Sequence, residues 1–412
     1  MMFVFGALVS ATLMAQCAAA AAVPANSQAW PELRFTPEGT FQMTVFNDLH
    51  FGEAENTDWG PFQDVDTLLV METVLKKESP QLVVMNGDLI TGENTFKKNS
   101  TDYLDEIVSP LVARKLPWAS TYGNHDSAYN LSSTNIYARE KTYKNSLTGR
   151  MVHSKTAGVS NYYLEVMSNN KHDSTPAMIL WFFDSRGGNY YQEEEDDGSD
   201  VSRPNWVDDS VIEWFVATRA QLAKRYKKIL PSYAFVHIPV GAMFAFQQNK
   251  GVDGHKEPGI NADNPLAQQG VQGPQWNATT SFEYSGQDRA FMNALLETEN
   301  LMGVFSGHDH GDDWCFKWDK SLKFLHLTGN GLVFCFGRHT GYGGYGSWTR
   351  GSRQVLVDIK ELGKSTKTWT RLEDGSTIGA VTLNSTYGRD IYPVVPLTYT
   401  SEDNEGVPST TD

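Results

Sequence analysis

Cysteine is scarce in this chain, with three residues among 412. Cys17 falls in an N-terminal stretch with the marks of a removable leader. Its loss leaves Cys315 and Cys335 as an even pair, which predicts one disulfide in an oxidising compartment, with two buried thiols as the alternative. Clusters of Lys and Arg are lacking as well: 34 basic against 49 acidic residues give a net charge of -15 and a pI near 5.1. That balance argues against a nucleic-acid-binding surface, because a phosphate backbone needs clustered positive side chains. An anionic substrate would need a local positive source, and bound metal ions are the evident candidate. Internal repeats, linker-like boundaries and low-complexity tracts beyond one short acidic run are also missing. With 40% hydrophobic, 20% charged and 12% aromatic residues, the composition predicts one folded domain over residues 35–400.

Residues 1–22 contain no charged side chain, hold an apolar stretch over 3–14 and end in a run of alanines from Ala18 to Ala22. This pattern predicts a secretory signal peptide, hence an extracellular protein. The apolar stretch is shorter than the roughly 20 residues of a spanning helix, so stable membrane insertion is not expected. Sequons at Asn99, Asn130, Asn277 and Asn384 fit a secreted glycoprotein.

Residues 41–47 are apolar and rich in β-formers, and 63–77 repeat apolar residues at helical spacing through Val65, Leu68, Leu69 and Leu75. The alternation continues with strand 82–86, helix 103–114, strand 118–121, strands 162–166 and 178–184, helix 207–226, and strands 233–237 and 302–305. Alternating strands and helices imply right-handed crossovers. From Trp314 onward, strand-like runs at 322–327, 354–359 and 366–372 with Gly-rich turns suggest a second, mostly antiparallel sheet. The expected fold class is α/β, with two packed mixed β-sheets flanked by helices. Residues 193–200, strongly acidic, and 247–276, rich in Gly, Asn, Gln and Pro, read as surface loops.

Five short segments concentrate possible metal ligands: Asp48-Leu49-His50, Gly87-Asp88, Gly123-Asn124-His125-Asp126, His237 and Gly307-His308-Asp309-His310. Taken singly, each reads as a turn or a structural histidine. Each, however, follows a predicted strand, and in open α/β sheets the ligand crevice lies beyond the carboxyl ends of the strands, where distant residues converge. Imidazole and carboxylate suit zinc, iron or manganese, while an all-oxygen set would favour calcium or magnesium. His153, His255, His326 and His339 lie outside these segments and read as surface or structural. Arg338 and His339 precede a Gly/Tyr-rich run, Gly341 to Gly346, that has no following helix signal and no P-loop lysine, and so reads as a turn near the site.

The ordered set Asp-x-His, Gly-Asp, Gly-Asn-His-Asp, His and Gly-His-x-His resembles the calcineurin-like metallophosphoesterase superfamily, over residues 41–359. Within it, the Gly307-to-His310 run with Cys315 and the Gly341-to-Gly346 run resemble the short purple acid phosphatase-like branch of fungi and plants. The resemblance implies an α/β/β/α sandwich and two metal ions. One would be held by Asp48, His50, Asp88 and His310, the other by Asp88, Asn124, His237 and His308, with Asp88 shared. It implies a metal-bridging hydroxide as nucleophile. His125 would stabilise charge or protonate the leaving oxygen, and Asp126 would orient its ring. The chain departs from purple enzymes at Thr91, where they place a tyrosine ligand, and at His50, where they have a non-ligating residue. No purple colour is therefore expected, and the metal pair stays among Fe, Zn and Mn. The function implied is hydrolysis of small-molecule or protein-bound phosphate monoesters. The alternatives are a phosphodiesterase on the same site and a non-catalytic secreted binding protein that keeps the fold.

Overall fold

The structure is a computed structural model that describes residues 32–270, 284–323 and 325–400. The expected signal peptide at 1–22, Cys17 and the Asn277 sequon lie outside these residues. After the short strand β1 (Leu33–Arg34) come β2 (Thr40–Phe46), helix α1 (Gly60–Lys77), β3 (Leu82–Asn86), α2 (Tyr103–Arg114), β4 (Trp118–Thr121) and α3 (Ser133–Glu140). There follow β5 (Tyr162–Met167), β6 (Pro176–Phe183), a hairpin of β7 (Asn189–Glu194) and β8 (Asp200–Ser202), α4 (Asp209–Tyr226), β9 (Ser232–Val236) and α5 (Gly241–Lys250). The chain then forms α6 (Arg289–Leu296), β10 (Leu301–Ser306), β11 (Cys315–Trp318), β12 (Leu332–Phe336), β13 (Gly351–Asp358), β14 (Thr366–Leu372) and β15 (Thr377–Leu383).

Two mixed sheets carry the fold: a seven-stranded one ordered β1-β5-β6-β9-β10-β12-β11 and a six-stranded one ordered β15-β14-β13-β2-β3-β4. The central strands β2, β3 and β4 run parallel, as do β6, β9, β10 and β12. Strand β3, Leu-Val-Val-Met-Asn, is buried along its whole length, as a parallel strand covered on both faces requires. One apolar cluster joins the facing sides of the sheets, with Phe41, Met43, Val45, Val84 and Val355 against Met178, Leu180, Phe182, Phe235 and Phe305. The outer clusters pack α4, α5 and α6 on one sheet and α1, α2 and α3 on the other. The expected class, two packed mixed sheets flanked by helices, is the observed one.

Several details differ from expectation. The C-terminal strands do not make a sheet of their own: β13 pairs antiparallel with β2, so β13–β15 widen the N-terminal sheet. Meanwhile β11 and β12 extend the other sheet. Residues 322–327 are not a strand, because Leu322 and Leu325 turn into the core from a loop. The acidic 193–200 segment is the tip of the β7–β8 hairpin, and the Gln-rich run begins inside α5. Helices α3, α5 and α6 and strand β15 were not expected.

In α1 the helix is as predicted but its buried face is not. Val65 and Leu69 are exposed, and Asp64 and Thr67 point inward. The reason is polar: Asp64 accepts the Gly52 amide at 3.2 Å and Thr67 Oγ1 accepts the Tyr342 amide at 2.9 Å. The helix thereby ties down two loops that border the site. Cys315 and Cys335 lie directly opposite on β11 and β12 and are joined in the expected disulfide. Among the described residues no helix is long and apolar enough to cross a membrane.

Candidate metal centre

The parallel strands of both sheets end at one edge. Asp48 and His50 follow β2, Asp88 follows β3, Asn124 and His125 follow β4, His237 follows β9, and His308 and His310 follow β10. Backbone hydrogen bonds interlock the loops: the amides of Leu49 and His50 donate to Asp88 O at 2.7 and 3.0 Å, and the Gly307 amide donates to His237 O at 3.0 Å. Asp48, His50, Asp88 and His308 all have positive φ, between 49° and 79°. Such left-handed backbone in non-glycine residues costs on the order of 1–3 kcal/mol each and concentrates at functional sites. Close packing demands glycine nearby: a Cβ on Gly123 would run into Asp88 Oδ1, and one on Gly87 into the His237 ring.

The edge holds three groups whose ligand-type atoms lie within 4.8 Å of one another: Asp48, His50 and His310; Asp88, His237 and His308; and His50, Asp88 and His125. Asp88 links them, with Oδ2 at 2.8 Å from His237 Nε2 and 3.8 Å from His50 Nε2. Three ring orientations follow from neighbouring acceptors. His237 Nδ1 lies 2.8 Å from Asn86 O and His310 Nδ1 lies 2.8 Å from Tyr345 O. A carbonyl only accepts, so both Nδ1 atoms donate, which turns His237 Nε2 toward Asp88 and His310 Nε2 toward Asp48. His50 Nδ1 is 3.0 Å from Thr91 Oγ1, which again leaves Nε2 toward the centre.

His50 Nε2 and His310 Nε2 face each other at 3.1 Å, close to the ~3.3 Å of two nitrogens bound to one tetrahedral ion. The buried Asn124 Oδ1 has no hydrogen-bond partner. This donor-poor, acceptor-rich set fits metal ions. Titration points the same way. Burial pushes His50 and His308 down to about 3, so both stay neutral. Burial also pushes His237 down, but Asp88 and Asp48 outweigh it and raise the ring to about 9.

Two expected roles change. Asp126 does not touch the His125 ring: its Oδ1 accepts the amides of Leu89 and Ile90 at 2.9 and 3.0 Å, and its Oδ2 accepts that of Gly123 at 2.8 Å. These three bonds clamp the Gly-Asp loop to the Gly-Asn-His-Asp loop. The partner of His125 is Glu93, whose Oε1 lies 2.5 Å from Nδ1. Nothing in the sequence marks Glu93 among 49 acidic residues. Burial lowers the His125 pKa, yet Asp88 and Glu93 more than offset this and carry it to about 10.

His339 belongs to the surroundings of the site. It is buried, with Nε2 bonded to Gly343 O at 3.1 Å, and its ring centroid is 3.8 Å from that of His310. Arg338 is buried against Asp313. The Gly/Tyr-rich loop covers the centre: Tyr345 stacks on His310 at 4.0 Å, and a Cβ on Gly344 would meet the His50 ring at 2.9 Å.

A cavity of about 280 Å³ opens onto these residues, lined by Asp88, His125, His308 and His310 together with Ala267, Asp309 and Tyr345. A second cavity of about 230 Å³, beside Trp181, Leu222 and Leu230, shares no residue with it and contains no histidine. Of the expected set, Asp48, His50, Asp88, His125, His237, His308 and His310 fall in the three groups, and His125 also lines the cavity. His153, His255 and His326 belong to none of the three groups.

The chain is similar to known proteins over most of its length. The family model "Calcineurin-like phosphoesterase" matches residues 41–312. "Probable inactive purple acid phosphatase 29" of Arabidopsis thaliana is 28% identical over 398 residues, covering 89% of this chain and 91% of that protein. "Phosphatase DCR2" of Saccharomyces cerevisiae is 30% identical over 316 residues, covering 74% of this chain and 49% of that protein. Among solved structures, a dimetal phosphatase from Danio rerio aligns with 13% identity and a TM-score of 0.49, covering 84% of this chain and 98% of the other.

Proposed function

The chain belongs to the calcineurin-like phosphoesterase family, and from that premise we propose that it is a secreted, dinuclear metal-dependent phosphatase acting on phosphate monoesters. The observation that carries this reading is the pair of ligand groups joined through Asp88, with the buried Asn124 Oδ1 left without a hydrogen-bond partner. Asp48, His50, Asp88 and His310 would hold one ion, and Asp88, Asn124, His237 and His308 the other. Bound there, iron, zinc or manganese would supply Lewis acidity toward the phosphoryl oxygens and lower the pKa of a water between them to the point of attack near neutral or acid pH.

The chain's own residues do the rest. His125 donates an Nδ1–H hydrogen bond to Glu93, which leaves Nε2 available to the cavity that the residue lines. In the protonated form favoured by Asp88 and Glu93, Nε2–H donates to the leaving-group oxygen as its bond to phosphorus breaks. His125 lines the cavity, which supports a place for it on the substrate side, although it lies within reach of His50 and Asp88. Asp126 holds Gly123 and Leu89, so it fixes where Asp88 and His125 sit without touching substrate. Tyr345, Ala267 and Asp309 wall the cavity on the leaving-group side. The disulfide and the sequons at Asn99, Asn130 and Asn384 support an exported protein.

A non-catalytic reading has one observation in its favour, the "inactive" in the Arabidopsis relative's name. Against it, every position of the ligand set in this chain holds a coordinating side chain. The deciding experiment reconstitutes the purified protein with each metal and assays nitrophenyl phosphate against bis-nitrophenyl phosphate from acid to neutral pH. Preference for the monoester is expected; preference for the diester would make it a phosphodiesterase. Two bound metals without turnover of either substrate would establish the non-catalytic reading.

A further inference from the structure

Of the residues that line the cavity at the metal centre, Asp88, His125, His308, Asp309 and His310 present carboxylates or imidazoles, and Ala267 a single methyl group. Tyr345 alone among them brings a large apolar ring, and it is 45% exposed. An exposed ring is ordinary on a protein surface. This one differs in its place, beside the candidate ligands, and in how firmly it is held.

The Tyr345 hydroxyl donates to Asp263 Oδ2 at 2.7 Å and accepts the His310 amide at 3.0 Å. Its backbone carbonyl lies 2.8 Å from His310 Nδ1. The ring lies over that of His310, with centroids 4.0 Å apart and planes 11° from parallel. Trp348 stands edge-on to it at 6.1 Å and 86°. The chain around Trp348 is pinned in turn, since the Thr349 amide donates to Thr398 O and the Thr400 amide to Ser347 O, both at 2.9 Å. A side chain anchored at its hydroxyl and at its backbone has little rotamer freedom left to lose, so a group that packs against it is bound at small entropic cost.

The same cavity touches Asp88, His308 and His310 and, at its wall, Tyr345. A phosphoryl group at the ligands therefore has its ester arm in the space that the ring bounds. Resting on the phosphatase reading above, we propose that Tyr345 is a specificity-determining residue, a fixed aromatic wall that favours phosphate monoesters with a flat aryl leaving group over aliphatic ones of similar size. A flat ring gains from another ring beyond the area it buries, through offset or edge-to-face contact; a puckered aliphatic ring gains the burial alone.

The test is calorimetric titration of the metal-loaded protein with phenylphosphonate, cyclohexylphosphonate and methylphosphonate, none of which has an ester bond to break, at a pH where all three are dianions. Metal content is measured alongside by elemental analysis. Wild type should bind the phenyl compound about 2–10-fold more tightly than the cyclohexyl one, the usual gain of ring on ring. Tyr345→Leu, which keeps apolar bulk, should erase that preference and change methylphosphonate binding less than phenylphosphonate binding. Tyr345→Phe, which keeps the ring, should retain the preference. Equal affinity for the phenyl and cyclohexyl compounds in wild type would overturn the proposal, as would loss of the preference in Tyr345→Phe or its survival in Tyr345→Leu. Equal weakening of all three compounds in Tyr345→Leu would overturn it too, because that pattern marks a residue that only holds His310 in place. The wild-type and phenylalanine measurements can refute the proposal even where Tyr345→Leu does not fold. A wild type that carries two metals and binds none of the three phosphonates would instead sink the phosphatase reading itself.

Discussion

Asp126 offers a sharp test, because sequence resemblance and structure give it different roles. Its carboxylate accepts three backbone amides, from Leu89 and Ile90 on Oδ1 and from Gly123 on Oδ2, and the side chain is fully buried. In Asp126→Asn the carbonyl oxygen can still serve Leu89 and Ile90, but the new NH₂ faces the Gly123 N–H, donor against donor. One buried amide left unsatisfied costs about 1–3 kcal/mol. Asp126→Ala strips all three amides and should cost more, though less than three times as much, because groups that share one partner do not add independently. Equilibrium urea unfolding of the metal-free protein measures both. The expected order of stability is wild type, then Asn, then Ala, with lower metal occupancy in Ala because the Asp88 loop loses its clamp. If both variants unfold within about 0.5 kcal/mol of wild type, the range of an ordinary surface change, the clamp has no energetic weight. If Asp126→Asn lowers turnover while the unfolding curve stays in place, Asp126 orients His125 after all.

Three further outcomes are expected. Asp88→Asn should lower metal content and rate together, since Asp88 lies in both groups that contain His237 and His125; elemental analysis showing two full equivalents in the variant would refute a shared ligand. His125→Ala should retain both metals while losing roughly 10²–10⁴ in turnover, the usual contribution of a positioned acid, and loss of metal in that variant would make His125 a ligand. Cys315→Ala with Cys335→Ala opens a link between residues 20 apart, which by chain entropy should cost about 3 kcal/mol; unchanged thermal unfolding in non-reducing buffer would show that the bridge adds nothing.

Much of the site was legible in the sequence because its chemistry is carried by residue type and order. Asp48, His50, Asp88, His237, His308 and His310 each stand just past an apolar, β-rich run, so their convergence at one strand edge followed from the parallel topology alone. Glu93 was not legible. Its role comes from a loop path that brings it 2.5 Å from His125, and no spacing rule encodes that path. Asp126 was misplaced for a related reason: adjacency to His125 in sequence suggested contact, but the turn sends its carboxylate toward backbone amides.

The sequence by itself determined the α/β class, the strand ends that carry ligands, the cysteine pair and the acidic character that leaves metal ions as the positive source. Periodicity and residue chemistry are local properties, so they survive without knowledge of the fold. Tertiary structure alone decided which sheet each C-terminal strand joins, which face of α1 is buried and which acid serves which histidine. Those depend on register and on loops meeting across more than 200 residues, as β13 meets β2 and Tyr342 meets Thr67. The hydrogen bonds that aim each imidazole belong to the same class, since the acceptors that set His50, His237 and His310 lie 35–151 residues away along the chain.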